Sequence, residues 1–106
     1  MSALAKRLKE ARLKAGLSQE RLGVLAGIDE MSASARMNQY EREKHVPDIS
    51  MVERLAKVLH VPVAFFYTEH DDEAHMLCRF HRMKNKNKKR VLALMDEIDE
   101  ETPDAG

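Results

Sequence analysis

The chain has 106 residues, 43% of them hydrophobic and 34% charged, which is enough for one folded domain with a small appendage. It has neither a run of about 18 apolar residues nor a signal-peptide pattern. We therefore expect neither a membrane-spanning nor an exported protein. The single cysteine excludes a disulfide framework, so we expect a protein of the reducing cytoplasm.

A first helix is predicted over residues 3–15. Ser2 is a suitable N-cap because its hydroxyl accepts a hydrogen bond from a free backbone N–H, and Gly16 stops the helix because glycine tolerates a left-handed backbone. The apolar positions recur at helical spacing and are Leu4, Leu8 and Ala11. This spacing predicts one face packed against a core.

The stretch from Ser18 to His45 predicts a helix, a glycine turn at Gly27 and a second helix. The core-facing residues of the first of these helices are Leu22, Leu25 and Ala26. At about 100° per residue, the inner face of the second helix comprises Ala33, Met37, Tyr40 and Glu41. Its outer face comprises Ser32, Ala35, Gln39 and Arg42. A mostly apolar inner face and a hydrogen-bonding outer face predict a helix that offers polar groups to a ligand.

Two more helical segments follow before residue 68. Pro47 interrupts the chain and Asp48 caps a fourth helix that ends near His60. Its inner positions are Val52, Leu55, Ala56 and Leu59. Pro62 starts a short fifth helix with three aromatic residues, of which we expect Phe66 to pack in the core.

Residues 69–106 predict two additional helices. The acidic run Asp71-Asp72-Glu73 favours a sixth helix, since negative charge stabilises a helix N-terminus. The apolar stripe of this helix is Met76, Phe80 and Met83, and a linker rich in lysine and asparagine over residues 84–89 precedes a seventh helix. The apolar positions of the seventh helix are Val91, Leu94, Met95 and Ile98. These two faces require a partner, either the domain itself or the same helices of a second subunit.

The neutral total charge conceals strong segregation along the chain. Residues 1–66 contain eleven Lys or Arg against eight Asp or Glu, a net of +3. Residues 79–90 contain seven basic residues and no acidic one, whereas residues 91–106 contain six acidic residues and no basic one. The two blocks are either solvated helix faces or interaction surfaces.

The order of these signals resembles the helix-turn-helix of the phage lambda and 434 repressor family, also called the XRE family of bacterial regulators. The residues that carry the resemblance are Gly16-Leu17-Ser18-Gln19, Gly23, Gly27, Tyr40-Glu41-Arg42, Lys44, Pro47 and residues 52–59. The resemblance covers roughly residues 3–67. It implies an all-α, lambda-repressor-like five-helix DNA-binding domain over residues 1–68, with two additional C-terminal helices in residues 69–106.

The resemblance also implies a function. A transcriptional regulator, taken to be a repressor, would insert the second motif helix into the major groove of a palindromic operator as a homodimer. Arg12 and Glu41 match the positions at which the family forms a structural ion pair between the first helix and this recognition helix. Double-stranded DNA and a second copy of the chain are therefore the expected partners.

Two features depart from the family pattern. About four extra residues separate Gly27 from Glu41, and this insertion at residues 28–32 either lengthens the recognition helix by one turn or widens the glycine turn. Glu43 occupies a position where the family has glycine, and a left-handed backbone there is unfavourable for any other residue.

The expected DNA contacts follow from the outer face of the recognition helix. A glutamine can form two hydrogen bonds with an adenine edge, an arginine can bind guanine, and small side chains can approach a thymine methyl. The candidate base contacts are Ser32, Ala35, Arg36 and Gln39. The candidate phosphate contacts, placed at a helix N-terminus or beside the outer face, are Gln19, Asn38, Arg42, Lys44 and His45.

Three alternatives were weighed against DNA binding. An antitoxin or adaptor would hold a protein partner through residues 69–106, with DNA binding secondary. A metal-responsive regulator would use the group His70, Asp71, Asp72, Glu73, His75, Cys78 and His81. His75 and His81 lie about 9 Å apart along one helix, too far to supply three ligands to one zinc, so we expect no metal site within one chain. A two-ligand site completed by a second subunit is the alternative. Because phosphate-loop, nucleophile-elbow and zinc-protease motifs are missing, we expect no enzymatic activity and no cofactor.

Overall fold

The computed structural model describes residues 2–101, and over this range the regular elements are all helical, which confirms the all-α prediction. The helices are α1 (Ala3–Lys14), α2 (Gln19–Leu25), α3 (Glu30–Glu41), α4 (Ile49–Leu59), a 3₁₀ helix (Val63–Tyr67), α5 (Asp71–Arg82) and α6 (Asn85–Glu101). Asp104, the last residue of the predicted acidic block, lies outside the described range. Together the elements form a body of 55 × 29 × 22 Å.

The first four helices begin with side-chain caps, as local sequence favours. Ser18 accepts a hydrogen bond from the backbone N–H of Arg21 at 2.9 Å, and Asp48 accepts one from that of Met51 at 2.8 Å. Ser2 caps α1 in the same way. Asp29, which was not predicted as a cap, accepts from the backbone N–H of Met31 and starts α3. Each such cap typically stabilises a helix by about 1 kcal/mol.

The insertion in the motif lengthens the recognition helix. α3 begins at Glu30, and Ile28, between the turn and the helix, is buried in the core. Gly27 has a positive φ of 95°, and the Ile28 backbone N–H donates to the Gly23 carbonyl at 2.9 Å, while the Gly27 N–H donates to that of Val24 at 3.0 Å. This pair of bonds defines a Schellman motif. The turn is therefore closed tightly, and residues 30–32 of the insertion form the first residues of α3, after Ile28 and the cap Asp29.

Three further helices end in the same motif. The left-handed residue after α1 is Gly16, with φ of 70°. The corresponding residue after α3 is Glu43, with φ of 61°, and that after α4 is His60, with φ of 55°. The last two are left-handed residues with a side chain, which is a strained choice at a position that glycine occupies most readily. Glu43, at the position where the family has glycine, keeps the left-handed backbone that glycine would adopt there.

Glu43→Gly is expected to raise the melting temperature. Glycine removes the strain of the left-handed backbone, although it also removes the carboxylate that accepts the Ser2 backbone N–H and whose pKa that bond lowers. Glu43→Ala is the matched control, because it removes the same carboxylate but keeps the strain. We expect the glycine variant to melt about 4–8 °C above the alanine variant in a thermal scan. Equal melting temperatures would show that the position is not strained.

The core lies between α1, α2, α3, α4 and the 3₁₀ helix. Its fully buried apolar side chains include Leu8, Leu22, Met37, Val52 and Phe66. The predicted inner faces of α3 and α4 are buried, but Leu25, predicted to face the core from α2, is 44% exposed. Leu25 is the last residue of a seven-residue helix, and the chain already turns there toward the Schellman motif.

Gly23 allows α2 and α3 to approach closely. A Cβ added at this residue would lie 2.9 Å from the Ala33 Cβ and 3.0 Å from the Met37 Cγ. Separations this short require one helix to move, since packed interiors leave little space to absorb a methyl group. The absence of a side chain at Gly23 therefore helps to set the position of α3.

Gly23→Ala is expected to lower the free energy of unfolding by about 1–2 kcal/mol. Alanine gains up to about 1 kcal/mol in helix propensity, but overpacking against Ala33 costs about 1–3 kcal/mol. Urea denaturation measures the difference. In the double variant Gly23→Ala/Ala33→Gly the closest contact is removed, so the two changes should be less destabilising together than the sum of the single effects. Additive effects would contradict the close approach.

α5 packs on the core through a different face from the one predicted. Ala74 and Cys78 are buried in the core, next to α1. The predicted stripe of Met76, Phe80 and Met83 lies on the other side of α5, where Met76 is 46% exposed. These small residues face the core where α5 packs beside the 3₁₀ helix. The packed core thus extends beyond residue 68, through α5.

Arg7 fixes the start of α5 to α1. Its side chain is 1% exposed and donates to the carbonyl of Thr68 at 2.9 Å, to that of Glu69 at 3.0 Å, and to the Asp71 carboxylate at 2.8 Å. Arg7 and the neighbouring Lys6 hold the pKa of Asp71 below its usual value by hydrogen bonds. At the other end of α5, Arg82 donates to the carbonyls of His60 and Leu59, at the end of α4. Arginine side chains therefore anchor α5 at both ends.

α6 differs from the prediction in its extent and from the other helices in its packing. The segment predicted as a linker over residues 84–89 is helical from Asn85 onward, since lysine and asparagine lack the backbone constraints of proline or glycine. None of the described side chains of α6 is buried. Leu92 is 50% exposed and Leu94 is 55% exposed. α6 is therefore an amphipathic helix whose apolar residues are largely uncovered in the single chain.

Candidate nucleic-acid interface

The outer face of α3 is the centre of the candidate interface. The inner residues Ala33, Met37, Tyr40 and Glu41 are buried and hold the helix against the core. Most of the predicted contact residues are exposed: Ser32, Ala35, Arg36, Asn38, Arg42, Lys44 and His45. Gln39 and Gln19 are only partly exposed. The faces of α3 therefore separate as the sequence predicts, with a polar surface directed to solvent.

A buried ion pair fixes α3 to α1. The Arg12 Nε lies 2.7 Å from the Glu41 Oε2, and the Arg12 Nη2 lies 3.0 Å from the Glu41 Oε1, so the guanidinium binds the carboxylate with two parallel bonds. Arg12 also donates to the Leu17 carbonyl at 3.0 Å. The two side chains are 10% and 3% exposed. This pair connects the first helix, the entry to α2 and the recognition helix.

Gln19 has a positioning role that the sequence did not indicate. Its Nε2 donates to the Asn38 Oδ1 at 3.3 Å and to the Glu41 Oε1 at 3.2 Å. The amide nitrogen of Gln19 thus faces two acceptors on α3. The side chain of Gln19 connects α2 to α3, so a phosphate contact by Gln19 stays a prediction that concerns its backbone N–H, in the first turn of α2.

Basic side chains flank α3 on two sides. On one side, a cleft between α1 and α3 is lined by Lys6, Lys9 and Arg42. On the other, a cleft of about 480 Å³ brings Arg36 and Gln39 together with His45 and Arg54. Arg54, on α4, was not among the predicted contacts, because nothing in the local sequence relates it to a helix about 15 residues earlier. This arrangement offers positive charge to a polyanion that follows the recognition helix.

The comparisons with known proteins agree with this geometry. A family model described as "Helix-turn-helix domain" matches residues 3–64. The chain belongs to the helix-turn-helix family. Among solved structures, the crystal structure of the transcriptional regulator BswR is similar at 44% sequence identity, covers 92% of this chain and 94% of BswR, and has a TM-score of 0.83. No match was found among curated proteins. Because the BswR match extends well beyond residue 64, the similarity includes part of α5 and α6.

Met31 is a surface residue of this helix-turn-helix protein that the sequence analysis missed. It lies in the first turn of α3 and is 94% exposed. With Ala35, Asn38 and Arg42 it follows the i, i+4, i+7, i+11 spacing of one helical face. The signal was present in the sequence, but Met31 falls in the insertion, whose backbone the sequence left open. An exposed methyl thioether at this place is suited to contact a thymine methyl.

The acidic and histidine-containing segment that includes His70, His75 and His81 forms most of α5. Among residues 2–101, no group of three or more His, Cys, Asp or Glu side chains is arranged to hold a metal ion. Cys78 lies in the core, and burial raises the pKa of its thiol, which keeps it protonated and unreactive at neutral pH. No helix within residues 2–101 is long and apolar enough to cross a membrane.

Proposed function

We propose that this chain is a transcriptional regulator that represses by binding a near-palindromic operator as a homodimer, with α3 in the major groove. The observation that carries the proposal is the exposed polar face of α3, held in place by the buried Arg12 and Glu41 pair and flanked by basic clefts. The similarity to the transcriptional regulator BswR over nearly the whole chain supports the same function. The assignment to the lambda-repressor-like, XRE type rests on the motif residues named above.

The residues of α3 divide into two roles in this proposal. Base contacts come from Ser32, Ala35, Arg36 and Gln39, to which we add Met31. Phosphate contacts come from Asn38, Arg42, Lys44, His45 and the first turn of α2 at Gln19. Base contacts specify the sequence and phosphate contacts position the protein, so substitutions in the two groups should have different effects. A base-contact variant loses discrimination, and a phosphate-contact variant loses affinity for all sequences.

Gln39→Ala is expected to relax operator specificity at one symmetric position. A glutamine that binds an adenine edge in two places discriminates by about 1–3 kcal/mol, or about 5- to 150-fold per half-site. The measurement is a selection of bound sequences from random duplex DNA at a stated salt concentration, with the wild type and the variant in parallel. Glu53→Ala, exposed on α4 and outside the proposed contact set, is the control. The same consensus from Gln39→Ala and from wild type would remove Gln39 from the base contacts.

A protein-binding role for residues 69–106, as in an antitoxin or adaptor, is the second candidate function. The observation in its favour is the open apolar cleft between α5 and α6. A chain ending at residue 83 removes α6 but keeps Arg7, Ala74 and Cys78 in place, so the core is retained. If residues beyond 83 only bind a different protein, this variant binds the operator as tightly as the full chain. If they serve a homodimer, operator affinity falls steeply.

A further inference from the structure

The uncovered surface of α6 continues into a cleft that it forms with α5. The cleft has a volume of about 440 Å³. Its walls are Met76, Leu77 and Phe80 from α5 and Leu92 and Met95 from α6, with Thr68 and Glu73 at the rim. Near the start of α6, the Lys88 Nζ lies 5.5 Å from the centre of the Phe80 ring of α5. A helix with this much apolar surface is rarely left in water.

The charges of α6 and its N-terminal junction are arranged in two opposite blocks around an apolar centre. Residues 84–90 contain five basic residues and no acidic one, residues 91–95 are uncharged, and residues 96–101 contain five acidic residues and no basic one. The blocks are equal in size and lie at nearly equal distances from the centre. A second copy of the same helix, turned end over end, therefore presents an acidic block to each basic block.

This arrangement is unfavourable for α6 alone. A helix dipole favours acidic residues in the first turn and basic residues in the last turn, and α6 has neither. Its charges have the opposite order. An antiparallel neighbour reverses the effect, because its acidic C-terminal half then lies beside the positive N-terminal half of the first helix. A parallel neighbour would place like charges together, so the charge pattern selects the antiparallel orientation.

We propose that two copies of this chain pair through α6, antiparallel across a two-fold axis, with the basic block of each helix against the acidic block of the other. The partner's α6 covers the open side of the α5–α6 cleft, where Leu92 and Met95 lie. The inference rests on the homodimer of the proposed function and adds its interface and orientation. An isologous contact of this kind is closed by symmetry and leads to a dimer and not to a filament.

The test is the oligomeric state of the full chain with reversed charge blocks. Variant one carries Lys86→Glu, Lys89→Glu and Arg90→Glu, and variant two carries Asp96→Lys, Glu97→Lys and Glu100→Lys. Each variant alone has a helix of largely one charge, so self-association, measured by sedimentation, should weaken at least about 100-fold. An equal mixture of the two should form a one-to-one dimer. This rescue separates lost pairing from lost folding, which circular dichroism checks independently.

The orientation is tested by disulfide trapping. Asn87 and Asp99 lie near opposite ends of α6, beside the apolar stripe. In the antiparallel pair, a mixture of Asn87→Cys and Asp99→Cys chains forms the mixed disulfide, and neither chain alone forms a rapid cross-link. Rapid Asn87→Cys self-cross-linking would show a parallel pair and overturn the proposed orientation.

Three results would overturn the interface and leave different parts of the proposed function standing. Dimers that persist in both charge variants place the homodimer contact elsewhere. If the wild type is a monomer but still selects a palindromic consensus, the proposed DNA binding stands and the proposed pairing in the absence of DNA is wrong. A monomeric wild type that selects no consensus contradicts the proposed function as well, and a foreign protein then becomes the expected occupant of the cleft.

Discussion

Glu41→Ala is expected to lower the free energy of unfolding by about 3–5 kcal/mol, because it leaves the buried guanidinium of Arg12 without its carboxylate. It also removes one acceptor of the Gln19 side chain. A loss of this size is a large part of the total free energy of unfolding, which is about 5–15 kcal/mol for a typical folded domain. Urea denaturation followed by circular dichroism measures it, and operator affinity should fall in parallel since α3 loses its attachment to α1.

The double variant Arg12→Met/Glu41→Leu distinguishes the net contribution of the ion pair to stability from the cost of leaving one buried charge unpaired. Replacing both charges of a buried pair by apolar side chains of similar volume is often neutral or stabilising. We therefore expect the double variant to be much more stable than Glu41→Ala. If Glu41→Ala alone loses less than about 1 kcal/mol, the pair behaves as an exposed one and does not hold the recognition helix.

Arg7→Ala is expected to cost about 3–5 kcal/mol. The substitution truncates a fully buried side chain and leaves the carbonyls of Thr68 and Glu69 without their donors. Hydrogen exchange should show the loss most strongly at the start of α5, where these contacts are made. Thermal unfolding gives the total effect.

Lys6→Ala is the matched control for Arg7. Lys6 is the neighbouring residue and binds the same carboxylate, that of Asp71, at 3.1 Å, but both side chains of that pair are exposed. Exposed pairs contribute about 0–1 kcal/mol, so the control should remain close to wild type. Equal losses in the two variants would show that Asp71, and not the buried carbonyls, accounts for the effect of Arg7.

Local patterns in the sequence predicted the parts of the fold that depend on neighbouring residues. The caps at Ser18 and Asp48, the turn at Gly27 and the inner face of α3 all follow from interactions within one or two helical turns. Glu43 was identified as a departure from the family's glycine, and its backbone is left-handed. Such features need no knowledge of what lies across the core.

The features that the sequence did not reveal depend on distant partners. Arg7 belongs to a helix with several basic residues, and its acceptors lie more than sixty positions later, so composition alone suggests a solvated side chain. The core face of α5 was misjudged for a related reason. Large apolar side chains form the more conspicuous stripe, whereas the smaller Ala74 and Cys78 are the residues that pack in the core, beside the 3₁₀ helix. Distance in the chain, and not weakness of the interaction, conceals these contacts.

The arginine anchors at the two ends of α5 have a consequence for the DNA. Because Arg7 and Arg82 hold α5 to α1 and α4, α5 and the helix-turn-helix domain move as one rigid unit. In the proposed dimer joined at α6, this rigid unit restricts the separation and twist of the two recognition helices. Each base pair added between half-sites moves one of them by about 3.4 Å and turns it by roughly a tenth of a helical turn. The operator should accordingly tolerate changes in the identity of its central base pairs far better than any change in their number.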